Sequence, residues 1–230
     1  MSGAGLQHIG DGASPLLTID AASGNAGAIA TIAAGLSPFP PARGNAYPGL
    51  RRFIGPKDGA AVEYARDLLR KLVPSINATF DADGFDLLTA SFSMVTARPQ
   101  QLSPIQRAPH FDSVDPGYLA ILHYIGGTEG SGTAFYRQRS TGIERVTEAN
   151  RAHFVATAQR EAGAWNGYIA GSTPFFEQLA AVAGEADRVI VYQGSLLHSG
   201  MIPEDMTFSD DPVIGRLTGN FFVRARPRAG

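Results

Sequence analysis

The sequence predicts a mainly β protein, an antiparallel barrel or sandwich with helices on its outside. Three observations predict it. From Phe85 onward, short runs rich in β-branched and aromatic residues alternate or are continuously apolar, as half-buried and buried strands do. Turns are frequent, with 27 glycines and 15 prolines spread along the chain. The clearest helical periodicity lies upstream of those strands, which suits helices covering the outside of a β core.

Each element follows from local pattern. LLTI at 16–19 reads as a short strand. Asn25 to Ala34 is Ala-rich and reads as a short helix, stopped by Gly35 and the Pro38, Pro40, Pro41 cluster. Lys57 to Val73 is the best helix: Val62, Ala65, Leu68, Leu69 and Leu72 form one apolar stripe, and Pro74 is expected to end it. LLTASFSMVTARP from Leu87 reads as a strand, and YLAILHYI (118–125) as a buried one. GTAFYRQ (132–138) follows a Gly-rich turn and is expected to be the hairpin partner of 118–125. Glu148 to Ala162 reads as a helix. Thr173 is expected to cap another, with Pro174 at its first position, through FFEQLAAVAG. DRVIVYQG (187–194), LLHSG (196–200) and GRLTGNFFVRARP (215–227) close the series as strands, with an acidic loop before the last. Residues 1–84 are expected to form a helical and extended N-terminal segment packing on a core built by 85–230, a single compact domain overall.

Composition narrows the function. Of 230 residues, 44% are hydrophobic and 17% charged, enough for a packed core and too little charge for disorder. The net charge is −2 and no basic run occurs, so neither nucleic acid nor a membrane is expected as a partner. No apolar stretch is long enough to span a bilayer. MSGAGLQHIGDGASP lacks the pattern of a signal peptide, so a cytoplasmic protein is expected. There are no cysteines, so any metal must be held by His, Asp or Glu.

The segment RAPHFDSVDP holds His110 and Asp112 two apart. With five histidines and 21 acidic residues, about half an occurrence of His-x-acid is expected by chance, so the pair alone carries little. On an extended segment, however, residues i and i+2 point the same way, and Phe111 would point to the back. A non-haem iron site needs two imidazoles and a carboxylate on one face. Among the other histidines, His8 lies in a terminus expected to be loose and His153 on a polar helix. His123 sits inside the apolar run as a packed core residue. His198 follows a strong strand and can project into a cavity between sheets. On the next strand Arg216, Thr218 and Asn220 alternate with Leu217, Gly219 and Phe221. An inward arginine there would call for an anionic partner; the alternative is the solvent face of an edge strand.

Together these residues resemble the iron(II)/2-oxoglutarate dioxygenase superfamily, whose pattern is His-x-Asp, a distal His, then Arg-x-Ser/Thr on the following strand. LAILHYIGGTEGSGTAFY, with Tyr124, Gly132, Thr133 and Phe135 in the pattern positions, is similar to the prolyl-hydroxylase-like branch. AYPGLR (46–51) and the C-terminal pattern are similar to an uncharacterised bacterial group within it. Arg216 follows His198 by 18 residues, a longer interval than in much of the superfamily, and the excess lies in MIPEDMTFSDDPVIG, which could fold over the site as a lid. The resemblance implies a double-stranded β-helix (jelly-roll or cupin-like) core. It implies Fe(II) held by His110, Asp112 and His198. The far carboxylate of 2-oxoglutarate would pair with Arg216, helped by Thr218 and the Tyr124 hydroxyl. It further implies O2 as co-substrate and oxidation, such as hydroxylation, of an unidentified small molecule or amino-acid side chain, with release of succinate and CO2. Candidate substrate contacts are Tyr47, Arg51, Arg107, Tyr136 and Asn220; tyrosine packing and arginine solvation are the ordinary alternatives. Two other readings share the same residues: a cupin-type metalloenzyme that uses the triad without 2-oxoglutarate, and a barrel that binds without turnover.

Overall fold

The computed structural model describes residues 4–44, 47–161 and 165–228. In chain order the elements are β1 (Ala4–Ile9), β2 (Ser14–Ile19), α1 (Ala26–Ala34), β3 (Gly49–Phe53), α2 (Gly59–Phe80) and β4 (Ala82–Val95). After them come a short α3 (Pro104–Arg107), β5 (Tyr118–Gly126), β6 (Gly132–Gln138), α4 (Arg151–Glu161), β7 (Phe176–Ala183), β8 (Arg188–Gln193), β9 (His198–Met201) and β10 (Leu217–Pro227). Ala46, which begins the AYPGLR stretch, and Ala162, at the end of the expected fourth helix, lie outside the described residues.

Among the described residues the strands form two sheets. The larger has seven strands in the order β1-β2-β8-β5-β10-β4-β3, the smaller three in the order β7-β6-β9. Every pairing within them is antiparallel. Strand alternation sorts the large sheet's side chains into two layers. Leu119, Ile121, Val191, Leu217, Phe221 and Val223 face α1 and α2 and meet Ile29, Leu68, Leu72 and Ile76. Ala120, Tyr124, Ile190 and Tyr192 face the small sheet and meet Phe135, Ala180 and Val182. The small sheet's other face packs Ala134, Tyr136, Phe176 and Leu197 under Phe154 of α4. The N-terminal third supplies both outer edges of the large sheet, β1–β2 beside β8 and β3 beside β4.

Several local expectations hold. The Asn25 side chain accepts from the Ala28 N–H and starts α1, which ends at Gly35. The strands expected at 16–19, 118–125, 132–138, 187–194, 196–200 and 215–227 all form, the last two beginning at His198 and Leu217. Four expectations do not. Residues 4–9 are a strand, so His8 belongs to β1 rather than to a loose end. Pro74 lies inside α2 rather than terminating it. The apolar spacing continues past it through Ile76 and Phe80 onto the same core, and Pro74 is exposed, which lets water satisfy the carbonyl that loses its donor. β6 does not pair with β5. The turn at 127–131 carries the chain from one sheet to the other, and β6 finds β7 and β9 instead. Gly127 makes that crossing possible: its φ is +58°, and a side chain there would collide with the Gly215 carbonyl. Finally, 176–183 is β7, not a helix. Thr173 does accept from the Phe175 and Phe176 N–H groups, but the turn it closes feeds a strand whose ladder with β6 overrides the helix propensity of its alanines.

A polar chain crosses the large sheet's helix-facing layer. Tyr64 Oη lies 2.8 Å from His123 Nδ1, and His123 Nε2 lies 3.0 Å from Asp187 Oδ1. His123 is thus the packed core residue expected. Asp187 also accepts from the Ser23 N–H and hydroxyl and from the Gly24 N–H. These hydrogen bonds, from His123 and from Ser23 and Gly24, hold its carboxyl below the ordinary aspartate value, against the opposing effect of burial, the largest single influence. Asp187→Ala should therefore destabilise the fold by about 3 kcal/mol in urea unfolding at neutral pH. A depressed carboxylate stabilises fully above its unfolded pKa and loses that contribution as pH falls through the folded value. The gap between wild type and variant should accordingly narrow as pH drops below about 4; a gap that stays constant with pH would rule this account out.

Candidate metal centre

The His-x-Asp segment is an extended stretch zipped onto the edge of the small sheet. His110 and His198 exchange both backbone hydrogen bonds at 2.9 Å, and the Asp112 N–H donates to the Gly194 carbonyl at 2.7 Å. That register brings the two histidine rings to 4.4 Å between centroids. The alternation expected of an extended segment then places Asp112 beside them and turns Phe111 against Phe154 at 5.8 Å.

His110, Asp112 and His198 each offer a ligand atom, and these atoms lie within 4.8 Å of one another. Asp112 Oδ2 and His198 Nε2 are 3.5 Å apart. Three facial ligands of a first-row metal at about 2.1 Å sit about 3 Å from each other, so modest approach completes the set. Protonation also favours ligation. Burial, reinforced by the neighbouring His198, pushes His110 down to about 4, against the pull of Asp112. Burial likewise pushes His198 down to about 4. Both imidazoles are therefore neutral at pH 7, as ligands must be. His198 Nδ1 donates to the Leu196 carbonyl at 2.8 Å, which fixes the tautomer and leaves Nε2 with its lone pair toward Asp112. Asp112 Oδ2 is shut off from solvent with no hydrogen-bond partner. A carboxylate oxygen left that way is costly, and a cation between the three ligand atoms satisfies it. The group fits an Fe(II) site.

A cavity of about 290 Å³ opens between the sheets in front of this group. Its wall carries Arg43, Arg51 and Arg216 against the single carboxylate of Asp112. β10 is a central strand, paired on both sides, so the edge-strand alternative for Arg216 fails. Arg216 is 4% exposed. Its Nε donates to Ser131 Oγ at 3.0 Å, a second nitrogen points to the Gly132 carbonyl at 3.4 Å, and its plane lies 5.8 Å over the Tyr124 ring. Among the described residues no carboxylate comes within ion-pairing distance of it. Thr218 and Asn220 line the same wall, and the Asn220 amide donates to Thr218. The 201–215 insertion sets Ile202 against the cavity and Phe208 near Arg98, and delivers Arg216 into register despite the longer interval.

The remaining candidates separate. Arg51 reaches the cavity, its Nε on Ser93 Oγ at 3.0 Å and its guanidinium 4.6 Å over the Tyr47 ring. Tyr47 lines the cavity too, and its hydroxyl is buried without a partner. Tyr124 sits behind the wall: its hydroxyl bridges to Thr133 Oγ1 at 2.7 Å, tying one sheet to the other beneath Arg216. Tyr136 is corrected. Thr133 and Phe135 face inward, so Tyr136 faces α4, away from the site. Arg107 is corrected as well, because its donors go to the Leu102 and Trp165 carbonyls and to Asn166, where it ties two loops together. Ser131, in the turn before β6, and Ser93 on β4 are polar partners of the arginines that the sequence did not single out. Their signal is alternation on strands whose inward face is known only once the sheets are paired.

The fold agrees with solved structures. HygX from Streptomyces hygroscopicus, solved with nickel and 2-oxoglutarate bound, superposes with a TM-score of 0.53 at 14% identity, covering 92% of this chain and 83% of that one. The same protein solved with iron bound gives 0.51 at 13% identity, covering 92% and 82%. The shared architecture is the double-stranded β-helix that the superfamily resemblance implied. No curated protein matches the sequence. Residues 3–223 match the model of a family of unknown function, DUF6445.

Proposed function

The chain belongs to the family of unknown function DUF6445, and on that premise we propose that it is a non-haem Fe(II)/2-oxoglutarate-dependent oxygenase. One observation carries the reading: a His-Asp-His ligand set and an uncompensated buried arginine face the same cavity. A divalent metal with Asp112 leaves one positive charge at one end of the cavity, and Arg216, with Arg43 and Arg51 on the same wall, makes the rest of it cationic, which suits a dianion with one carboxylate at each end. That HygX is solved with a metal and 2-oxoglutarate supports the same pairing in a shared fold.

His110, Asp112 and His198 would hold the metal. Arg216 would pair with the far carboxylate, since a planar guanidinium suits two parallel hydrogen bonds, and Thr218 adds a hydroxyl beside it. Tyr124 and Thr133 lock the two sheets behind the arginine and keep its plane fixed. Tyr192, packed 4.9 Å from the His198 ring, holds that ring's orientation. Iron(II) bound there would supply the electrons that activate O2, so that 2-oxoglutarate leaves as succinate and CO2 while one oxygen atom becomes available to oxidise a substrate C–H. The protein's part is to hold both carboxylate ends and keep bulk water from the ligand face.

Anaerobic loading with Fe(II), followed by 2-oxoglutarate and air, should produce succinate slowly without added substrate. The same treatment of Asp112→Ala should produce none above the iron blank. A protein that binds iron with no affinity for 2-oxoglutarate would instead be a metalloenzyme using the triad alone.

A further inference from the structure

A second and larger cavity, about 940 Å³, lies on the other side of His110. Three segments distant in sequence line this open cleft: the loop running into β3, residues 96–111, and one face of α4. Tyr47, Pro48, Gln106, His110 and Phe111 line both this cavity and the metal cavity, so the two adjoin at His110. Their chemistry differs sharply. The metal cavity carries three arginines and an aspartate. The larger one has no Lys, Arg, Asp or Glu among its described lining residues. Its walls are Leu50, Pro104, Ala108, Phe111, Phe154 and Val155.

We propose that this cavity is the substrate pocket, and that its substrate is an uncharged, largely apolar small molecule. The proposal rests on the oxygenase reading and gives that site its substrate class. The volume is that of a pocket enclosing a drug-sized ligand. A cationic or anionic group set against these walls would give up part of its hydration with no counter-charge to replace it, which disfavours it relative to a neutral one. The polar groups on offer are neutral. Gln101 spends its carbonyl oxygen on the Arg98 N–H, leaving its NH2 free to donate, and Gln159 presents a whole amide. Gln106 is already committed to Ser103 and to the Tyr47 carbonyl. A hydroxyl or carbonyl or two on an apolar frame is the complement of such a wall. Tyr47 stands at the junction with Arg51 stacked on its face, and Arg51 lines only the metal cavity. The charged groups thus stay with 2-oxoglutarate, and the apolar pocket opens onto His110, where oxidation would occur.

The test uses three probes of one shape on manganese-loaded protein with 2-oxoglutarate present: naphthaleneethanol (neutral), naphthaleneacetate (anionic) and naphthaleneethylamine (cationic), each titrated by calorimetry. The neutral probe should bind at least about tenfold tighter than either charged one. Ala158→Trp, which fills the pocket from α4, should abolish its binding. Ile105→Gln, at a residue 57% exposed and so safe for folding, should weaken it about fivefold. Manganese and 2-oxoglutarate affinities should be unchanged in both variants. Equal binding of a charged probe, or neutral-probe binding untouched by both substitutions, overturns the proposal. Neutral preference in a protein that takes up neither manganese nor 2-oxoglutarate would sink the oxygenase reading and leave the pocket assignment standing.

Discussion

Replacing His198 with alanine will weaken manganese or iron(II) binding by at least about 100-fold while the protein stays folded. The loss follows from ligand count. With His110 and Asp112 alone the metal keeps two protein donors, and even disturbing the groups behind a ligand typically costs about 10- to 100-fold. Folding survives because the part of His198 that holds the sheet together is its backbone, which exchanges two hydrogen bonds with His110 and pairs with Phe135. The ring's own packing on Tyr192 and Phe135 is lost, at a cost of about 1–2 kcal/mol. Two other histidines make the experiment specific. His153 is exposed on α4, so His153→Ala should change neither metal affinity nor stability. His123 is buried in the layer facing the helices, so His123→Ala should destabilise the fold yet leave metal affinity alone. Manganese titration followed by electron paramagnetic resonance reads all three. Wild-type affinity in His198→Ala, or a loss as large in His123→Ala, would remove His198 from the site.

What the sequence disclosed about this centre was whatever depends on alternation along one strand. His110 with Asp112, and Arg216 with Thr218 and Asn220, are same-face sets at spacing two, legible without knowing which strands pair. The fold class was legible for the same reason, since apolar and β-branched runs bounded by turns say β core before they say which topology. Pairing was not legible. β6 looked like the partner of β5 because a Gly-rich turn joins them, yet such a turn can close a hairpin or cross between sheets, and only Gly127 against the Gly215 carbonyl shows which. The same gap misdirected Tyr136, whose face is set by β6's partners rather than by its own neighbours. β7 was hidden by alanines, whose helical preference of a few tenths of a kcal/mol per residue yields to a ladder. Arg107 looked free beside the metal ligands because its carbonyl partner on Trp165 is 58 residues away in sequence. The large apolar cavity has no local signature, since no single segment forms it.

Arg216→Met will abolish 2-oxoglutarate binding and leave the unliganded protein as stable as wild type or more stable, by up to about 2 kcal/mol. The two halves come from one fact. In the described structure the Arg216 guanidinium is buried with neutral partners only: the Ser131 hydroxyl, the Gly132 carbonyl and the face of Tyr124. A charge held that way is destabilising, because those dipoles replace only part of its hydration. Exchange of buried charged groups for apolar ones of similar volume is accordingly often neutral or stabilising. A residue kept for the fold would behave in the opposite way, since its removal would unfold the protein. The charge makes sense when an anion arrives. Removing one partner of a buried, hydrogen-bonded charge pair costs about 2–5 kcal/mol, so a loss of about 30-fold to a few thousandfold in 2-oxoglutarate affinity is expected. Arg216→Lys keeps the charge but not the fork, and should lose less, about tenfold. Thermal unfolding of the manganese protein with and without 2-oxoglutarate reads both halves together. Wild type should gain stability on adding the dianion, Arg216→Met should gain none, and its starting point should be equal or higher. A variant that unfolds at lower temperature yet still responds to 2-oxoglutarate would make Arg216 a structural residue, and the anion would then have to be held by Arg43 or Arg51, the other arginines lining the metal cavity.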